Sequence, residues 1–200
     1  MPSKKYWNNR YVNEDIGWDI GEISKPIKHW LDTYNNKTKK ILIPGSGSGF
    51  EVGYAYKKGF KNVYYLDFSK KASERFKSRF PDFPNSQIIS SDFFNLKNYT
   101  AFFDIILEQT FFCAIEPRRR TEYMNKTYDL LNEHGRIIGL LFNTELNKTS
   151  PPFGGSIKIY KSIFKPKFRV LKMEKCINSI DPRANNELWI HLSKKHYENY

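Results

Sequence analysis

A glycine-rich segment, Pro44–Gly49, contains the residues whose types and spacing most clearly suggest ligand chemistry. It follows an apolar run at 40–43 and precedes a helix-like stretch at 51–58, a position where a glycine loop lets the backbone approach a bound nucleotide closely. The glycines alternate with other residues from Gly45 onward, and no Gly-Lys-Ser/Thr follows, which excludes a triphosphate-binding loop. The segment therefore predicts a nucleoside-like ligand, and the alternative is a purely structural strand-to-helix turn.

Two acidic residues follow the next two strand-like runs. Asp67 comes directly after the run 63–66, where a carboxylate can accept hydrogen bonds from both hydroxyls of a ribose. Asp92 follows the run 87–90 and precedes Phe93, so an acceptor for an exocyclic amine stands beside flat apolar surface for a purine. Each acid alone could be a helix N-cap. Three consecutive strand ends nevertheless carry groups suited to the same adenosine-like ligand.

The elements that must position these residues alternate between strand and helix from residue 39 onward. We predict strands at 40–43, 63–66, 87–90, 103–107 and 136–142, and helices at 51–58, 69–80 and 118–131, with Gly135 as the last helix stop. This alternation is typical of an α/β fold with right-handed crossovers, a mostly parallel sheet and ligands at the carboxyl ends of the strands. The runs 168–177 and 188–193 lack room for a crossover helix between them and predict an antiparallel hairpin at one edge.

Composition narrows the class of protein and its partners. The chain is 40% hydrophobic and 16% aromatic, which excludes extensive disorder, and its two cysteines have no metal-binding or redox-pair spacing. No apolar run is long enough to span a membrane, and no secretory signal is recognisable, so we expect a cytoplasmic monomer without a membrane partner. The net charge of +12 comes from short clusters spread over the chain, which favours anionic small molecules or solubility over nucleic acid.

Several short motifs fit one known family, and they lie at 7–11, 17–21, 43–49, 66–69, 92–94, 111–117 and 151–153. They resemble the class I S-adenosylmethionine-dependent methyltransferases, and more narrowly the thiopurine S-methyltransferase family with its thiol and halide methyltransferase relatives. The glycine loop is shared by the whole superfamily. The Gly-Trp-Asp-Ile-Gly motif at 17–21 and the Phe-Phe-Cys-Ala-Ile-Glu-Pro motif at 111–117 are distinctive of this branch.

The resemblance implies a fold, a cofactor and a set of cofactor contacts. The expected fold is a single Rossmann-like domain over 1–200, with a seven-stranded doubly wound sheet of order 3-2-1-4-5-7-6 whose last strand is antiparallel, and with residues 1–36 as a cover. The expected cofactor is S-adenosyl-L-methionine, which leaves as S-adenosyl-L-homocysteine. The implied contacts are the cover aromatics Trp7, Tyr11 and Trp18, the loop glycines Gly45 and Gly47, Asp67 at the ribose, Asp92 and Phe93 at the adenine, and Gln109 near the methionine.

The chain also departs from the family pattern. Ser46 stands where relatives usually carry Cys, Tyr11 where plant relatives carry Trp, and Gln109 where many relatives carry Tyr or Arg. The change at Gln109 bears on substrate identity, because this position lies near the expected methyl group. Trp7 and Trp18, taken without the resemblance, are more typical of core aromatics, and with it we favour a cofactor cover.

Two further residues allow more than one interpretation. The run Arg118–Arg120 favours a solvated helix face, and the alternative is that Arg120 points toward an anionic substrate, since thiopurine relatives also carry arginine there. Cys113 is expected to pack beside the site rather than act as a nucleophile. We assign no catalytic residue and no metal.

The resemblance implies methyl transfer to a small soft nucleophile, and a thiol is the acceptor that we favour. Because a sulfonium is already an excellent methyl donor, the main task of the protein is to align the acceptor for in-line displacement. Methylation of halide or thiocyanate is the first alternative. RNA binding or RNA methylation, motivated by the net charge, is the second.

Overall fold

Seven strands form one sheet in the computed structural model, which describes residues 3–196 of the chain. The strands are β1 (Ile41–Pro44), β2 (Val63–Leu66), β3 (Ile88–Ile89), β4 (Phe103–Glu108), β5 (Leu131–Phe142), β6 (Phe168–Lys175) and β7 (Glu187–Lys194). Their order is β3-β2-β1-β4-β5-β7-β6, and β7 runs antiparallel to both of its neighbours. The predicted α/β fold and sheet order are confirmed, including the antiparallel last strand.

Helices cover both faces of this sheet. Within residues 3–196 the α-helices are α1 (Lys4–Val12), α2 (Lys25–Thr33), α3 (Phe50–Lys57), α4 (Lys70–Arg79), α5 (Arg120–Leu130) and α6 (Ile157–Phe164). Side-chain caps fix three of the helix starts, since Ser3 Oγ accepts the Tyr6 amide at 3.1 Å, Ser69 Oγ the Ala72 amide at 3.2 Å and Ser156 Oγ the Ile159 amide at 3.4 Å. None of the described helices combines the length and the apolar character needed to cross a membrane.

Successive residues of the central strands contribute to two separate apolar cores. On β1, Leu42 packs into a core with α5 and α6, whereas Ile41 and Ile43 pack into a core with α2, α3 and α4. This alternation follows from the pleat of a strand, which points neighbouring side chains to opposite faces. Because both faces are covered, the carboxyl edge of the parallel strands is the place where polar groups gather.

Helices α1, α2 and α6 are absent from the sequence-based prediction. In α1 only Tyr11 is buried, and the remaining residues show no apolar stripe that periodicity could detect. This helix is held by contacts with α4, which are tertiary contacts between segments far apart in sequence.

The prediction that Gly135 stops a helix is wrong. Helix α5 ends at Leu130, and the buried Leu131 already has extended backbone and pairs with Phe103 at the start of β5. The register then shifts, so that Arg136 is the residue opposite Ile105, and Gly135 lies inside β5. Burial of Leu131 in the core therefore ends the helix earlier than the glycine suggests.

Candidate active site

The glycine loop leaves β1 at Pro44 and enters α3 at Phe50. Gly45 and Gly47 have φ values of +61° and +53°, the left-handed region that favours glycine. The Ser46 amide donates to the Leu66 carbonyl at 2.9 Å, which fixes the turn to the end of β2. The loop amides and carbonyls are thereby held at the carboxyl edge of the sheet.

Asp67 lies directly against this loop. It is 7% exposed, and its Oδ2 accepts the Gly47 amide at 3.0 Å while its Oδ1 accepts the Ser69 amide at 2.8 Å. Burial raises the pKa of Asp67 to about 6, against the lowering effect of these amides. Each carboxylate oxygen has a second lone pair, so the group can still accept hydrogen bonds from two ligand hydroxyls.

Helix α1 is anchored on the first turns of α4. Asn8 Oδ1 accepts the Lys71 amide at 3.1 Å and the Ser69 hydroxyl at 3.2 Å. The Arg75 guanidinium donates to the Tyr11 carbonyl at 3.0 Å. These contacts hold the N-terminal segment beside the glycine loop.

The aromatic residues of this segment form one cluster above the loop. The Trp18 ring centroid lies 5.3 Å from that of Trp7 and 5.8 Å from that of Tyr11, both in edge-to-face geometry, and the Arg10 guanidinium lies 4.9 Å from Trp18. Tyr11 is 4% exposed, and a Cβ atom added to Gly47 would lie 2.3 Å from the Tyr11 hydroxyl. A glycine is therefore required under Tyr11.

A cavity lies between the cluster and the loop, and we call it the loop cavity. It has about 470 Å³ of free space, which includes space open to solvent, and is lined in part by Tyr11, Trp18, Asp19, Gly45, Gly47, Gln109 and Thr110. Gln109 is 9% exposed, and its Oε1 is buried without a hydrogen-bond partner within the described chain. An unpaired buried acceptor costs free energy, so this atom calls for a ligand donor in the loop cavity.

Four of the nine sequence-predicted site residues do not line the loop cavity. Asp67 adjoins it through the hydrogen bond that it accepts from the Gly47 amide. Trp7 reaches it only through its contact with Trp18. Phe93 is buried, and its ring centroid lies 5.3 Å from that of Phe111. The Phe111 ring in turn lies against Gly45. Asp92 accepts the Phe94 amide at 3.0 Å and caps a short 3₁₀ turn. The adenine role of Asp92 and Phe93 stays a prediction.

Glu108, at the end of β4, organises the segment that follows it. It is fully buried and accepts the Phe111 amide at 2.8 Å, the Phe112 amide at 2.7 Å and the Tyr123 hydroxyl at 2.8 Å. Burial raises the pKa of Glu108 to about 7. Glu108 was not identified from the sequence, although an acid that ends a buried strand was the available signal.

A second cavity, which we call the inner cavity, adjoins the first. It has about 260 Å³ of free space, which includes space open to solvent, and is lined by Thr110, Phe112, Cys113, Leu140, Leu141, Phe142, Tyr160 and Glu187. Thr110 lines both cavities and has φ of +55°, a conformation that non-glycine residues adopt rarely and often at functional sites. The two cavities therefore meet at a constrained residue.

The arginine run divides into two environments. Arg118 pairs with Glu116 at 2.7 Å and Arg119 with Glu122 at 2.6 Å, at the protein surface. Arg120 is instead 4% exposed, donates to the Gly154 carbonyl at 2.9 Å, and places its guanidinium 4.8 Å from the Phe112 ring. The prediction of a solvated helix face is wrong for Arg120, because the start of α5 turns this side chain toward the rings that line the inner cavity.

Two charged or reactive groups complete the surroundings. The Arg120 Nε is buried without a hydrogen-bond partner among the described residues. The Cys113 Sγ lies 3.2 Å from the Thr110 carbonyl, and burial raises the pKa of this thiol to about 12, so it is protonated near neutral pH. Cys113 thus has the packing environment that the sequence analysis expects.

The loop between β6 and β7 reaches the same region. Arg183 donates to the Trp18 carbonyl at 2.9 Å, and its Nη1 lies 3.7 Å from the Glu187 Oε1. Neither Arg183 nor Glu187 was identified from the sequence. Arg183 and Trp18 are 165 positions apart, and no motif connects them. Among residues 3–196, no three His, Cys, Asp or Glu side chains are grouped so as to hold a metal ion.

The sheet order, the glycine loop and the buried acid after β2 define a class I methyltransferase that uses S-adenosylmethionine. The residues fit this cofactor, because the loop cavity has an unpaired acceptor at Gln109 and the loop that lines it is hydrogen-bonded to the carboxylate of Asp67. Comparison with known families identifies the family within this class. Residues 3–197 match the thiopurine S-methyltransferase family, and the chain belongs to that family.

Individual relatives agree with this assignment. The chain is 31% identical over 163 residues to "Probable thiol methyltransferase 2" of Arabidopsis thaliana, covering 80% of this chain and 71% of the relative. It is 28% identical over 185 residues to "Thiocyanate methyltransferase 1" of the same plant, covering 90% and 81%. A crystal structure of the Burkholderia thailandensis 1,6-didemethyltoxoflavin-N1-methyltransferase with bound S-adenosylhomocysteine has a similar fold, with a TM-score of 0.78, 14% identity, and 97% and 87% coverage.

Proposed function

We propose that this S-adenosylmethionine-dependent enzyme methylates a small thiol that enters the inner cavity. The observation that carries the proposal is that Thr110 lines both cavities, so that the apolar and aromatic inner cavity lies directly beside the loop cavity. The names of the two Arabidopsis relatives, which refer to a thiol and to thiocyanate, support an acceptor of this size and polarisability.

The residues that line the loop cavity, together with Asp67 beside it, would hold the cofactor. Tyr11 and Trp18 would cover it, Gly45 and Gly47 would let it approach the backbone, Asp67 would accept its ribose hydroxyls, and Gln109 would pair with a donor near its methionine portion. Trp7 would support the cover, and Asp92 and Phe93 would border the adenine. S-adenosylmethionine supplies a methyl group on a positively charged sulfur that is a good leaving group.

The inner cavity would prepare the acceptor for displacement. Phe112, Phe142 and Tyr160 give it an aromatic wall that strips water from a soft nucleophile. The Arg120 guanidinium lies against the Phe112 and Tyr160 rings and lacks a partner at Nε, so it places positive charge next to this wall. A thiolate would be stabilised there and held for in-line attack.

Halide or thiocyanate methylation is the second candidate. The same buried cation favours it, because a halide ion needs positive charge and no proton transfer. The two candidates differ only in what fills the inner cavity, so a direct comparison of acceptors separates them.

The proposal extends to the state of the protein in the cell. We propose one domain over 1–200 in which residues 1–36 form the cover, and the contacts of Asn8 and Arg75 that join α1 to α4 support this. We also propose a cytoplasmic monomer whose partners are small molecules rather than nucleic acid.

A panel of acceptors tests the proposed function. The purified chain would be incubated with S-adenosylmethionine and, separately, with an aromatic thiol, hydrosulfide, iodide or thiocyanate. Methylated products would be measured by gas chromatography of the headspace or extract. Thiols are expected to give the highest kcat/KM. Preference for iodide or thiocyanate would favour the second candidate, and no turnover with any acceptor would contradict both.

A further inference from the structure

Glu187 is the one carboxylate among the residues that line the inner cavity of the described chain. It begins β7, opposite Phe142 of β5, and it is 3% exposed. A carboxylate is expensive to bury unless it is paired or has a function. Its ion pair with Arg183 spans 3.7 Å, which is longer than a direct charged hydrogen bond.

Glu108 acts electrostatically on Cys113 and Tyr160, but it does not line the inner cavity, and its oxygens already accept the Phe111 and Phe112 amides and the Tyr123 hydroxyl. The other titratable groups around the cavity are poor proton acceptors near neutral pH. Burial raises the pKa of Tyr160 to about 12, and that of Cys113 to about 12, so both side chains keep their protons. Arg183 and Arg120 are cations. Ser179, which lies beside Glu187, is a neutral hydroxyl. A proton released into this cavity can therefore be taken up by Glu187.

Thiol acceptors release such a proton, and halide ions do not. A cysteine-like thiol has a pKa of about 8.5 in water, and an apolar wall makes its ionisation harder. A base that lies in the cavity avoids the need to capture the minor thiolate form from solution. Burial raises the pKa of Glu187 above its ordinary value, with Arg183 opposing this, which brings the carboxylate nearer to the range useful for a base.

We propose that Glu187 is the general base for thiol acceptors, an inference that rests on the proposed function. The carboxylate takes the thiol proton, the thiol sulfur forms a bond to the methyl carbon, and the electron pair of the broken carbon–sulfur bond remains on the former sulfonium sulfur. The products are a methyl thioether, S-adenosylhomocysteine and a protonated Glu187, which then loses its proton to solvent. For iodide the same displacement proceeds without the first step.

The test compares two acceptors in the wild type and in two variants. We would measure kcat/KM for iodide and for an alkyl thiol of pKa about 8.5 in the wild type, in Glu187→Gln and in Glu174→Gln, whose exposed carboxylate on β6 is the matched control. At about pH 7 some 3% of this thiol is ionised. The thiol-to-iodide ratio of kcat/KM is therefore expected to fall about 30-fold in Glu187→Gln and to recover as the pH approaches 9, while Glu174→Gln keeps the wild-type ratio.

Other outcomes overturn the inference. Equal losses for both acceptors in Glu187→Gln would show a structural role, and an unchanged ratio would show that Glu187 takes no proton. If Glu187→Gln fails to fold, the dependence of the wild-type thiol kcat/KM on pH tests whether a base acts. Thiol kcat/KM should be level between the pKa of Glu187 and the pKa of the thiol, and a tenfold rise per pH unit up to the thiol pKa would exclude a base. A wild type that methylates neither acceptor would contradict the proposed function itself.

Discussion

The amide of Gly47 donates a 3.0 Å hydrogen bond to the Oδ2 of Asp67, so the cofactor loop and the acid after β2 form one unit. The same carboxylate also receives the Ser69 amide, at the start of α4. A substitution at Asp67 therefore acts on the ligand and on the loop together.

Replacement of Asp67 by alanine is expected to weaken binding of S-adenosylhomocysteine. The variant loses charged hydrogen bonds to the ribose, each worth about 1.5 to 3 kcal/mol, and leaves the Gly47 amide without its acceptor. Isothermal titration calorimetry measures the loss. Asp82→Ala, at an exposed position, is the control and should bind as the wild type does. Unchanged affinity in Asp67→Ala would show that the ribose assignment is wrong.

Cofactor affinity is expected to depend on pH because of the same residue. Ribose hydroxyls donate to the charged carboxylate, so binding favours the form of Asp67 that has lost its proton. Since burial raises the pKa of Asp67 to about 6 in the free protein, the affinity should be constant above this pH and fall below it, toward tenfold per pH unit. Calorimetric titrations between about pH 5 and 8 measure this profile. Asp67→Asn should bind more weakly at neutral pH and lose the dependence, and a flat wild-type profile would contradict the prediction.

Replacement of Glu108 by alanine is expected to destabilise the whole domain. The change leaves two buried amides and the Tyr123 hydroxyl without their acceptor, at about 1 to 3 kcal/mol for each group that finds no substitute. Urea denaturation should show a loss of about 3 kcal/mol or more. Glu74→Ala, whose exposed carboxylate pairs with Lys70 across 3.8 Å on α4, should change stability by less than about 1 kcal/mol. Similar effects in the two variants would mean that Glu108 does not organise the segment after β4.

Replacement of Arg120 by methionine is expected to affect anionic acceptors more than the cofactor. The variant keeps the packing against Phe112 but removes the cation beside the inner cavity. The KM for iodide or thiocyanate should rise about tenfold or more, the cost of losing about 1.4 kcal/mol of charge stabilisation. The dissociation constant of S-adenosylhomocysteine should remain within about twofold. Arg118→Met removes a surface cation of the same helix start and should leave both values unchanged. If the KM for the anionic acceptor rose equally in both arginine variants, the effect would come from long-range attraction of the anion by the net charge and not from Arg120 beside the inner cavity.

The alternation of strands and helices and the position of the glycine loop could be predicted from the sequence because they depend on local signals. The apolar runs, the glycines and the acids at strand ends are each visible within a few residues, and the family motifs then fix the sheet order. Gly135 misled the prediction because the burial of Leu131, a tertiary effect, ended α5 first.

The features that could not be predicted depend on contacts between distant segments. The direction of Arg120 is set by carbonyls at 153 and 154, and the position of Arg183 is set by the carbonyl of Trp18. Helix α1 similarly owes its position to α4 rather than to its own sequence. These positions cannot be predicted from the spacing of residues within a single segment.

Ser69 is fully buried between two parts of the molecule that have separate tasks. Its amide donates to Asp67, and its hydroxyl donates to Asn8 of α1. A displacement at this serine would be transmitted in both directions, so that occupancy of the nucleoside position and protease resistance of helix α1 should rise and fall together.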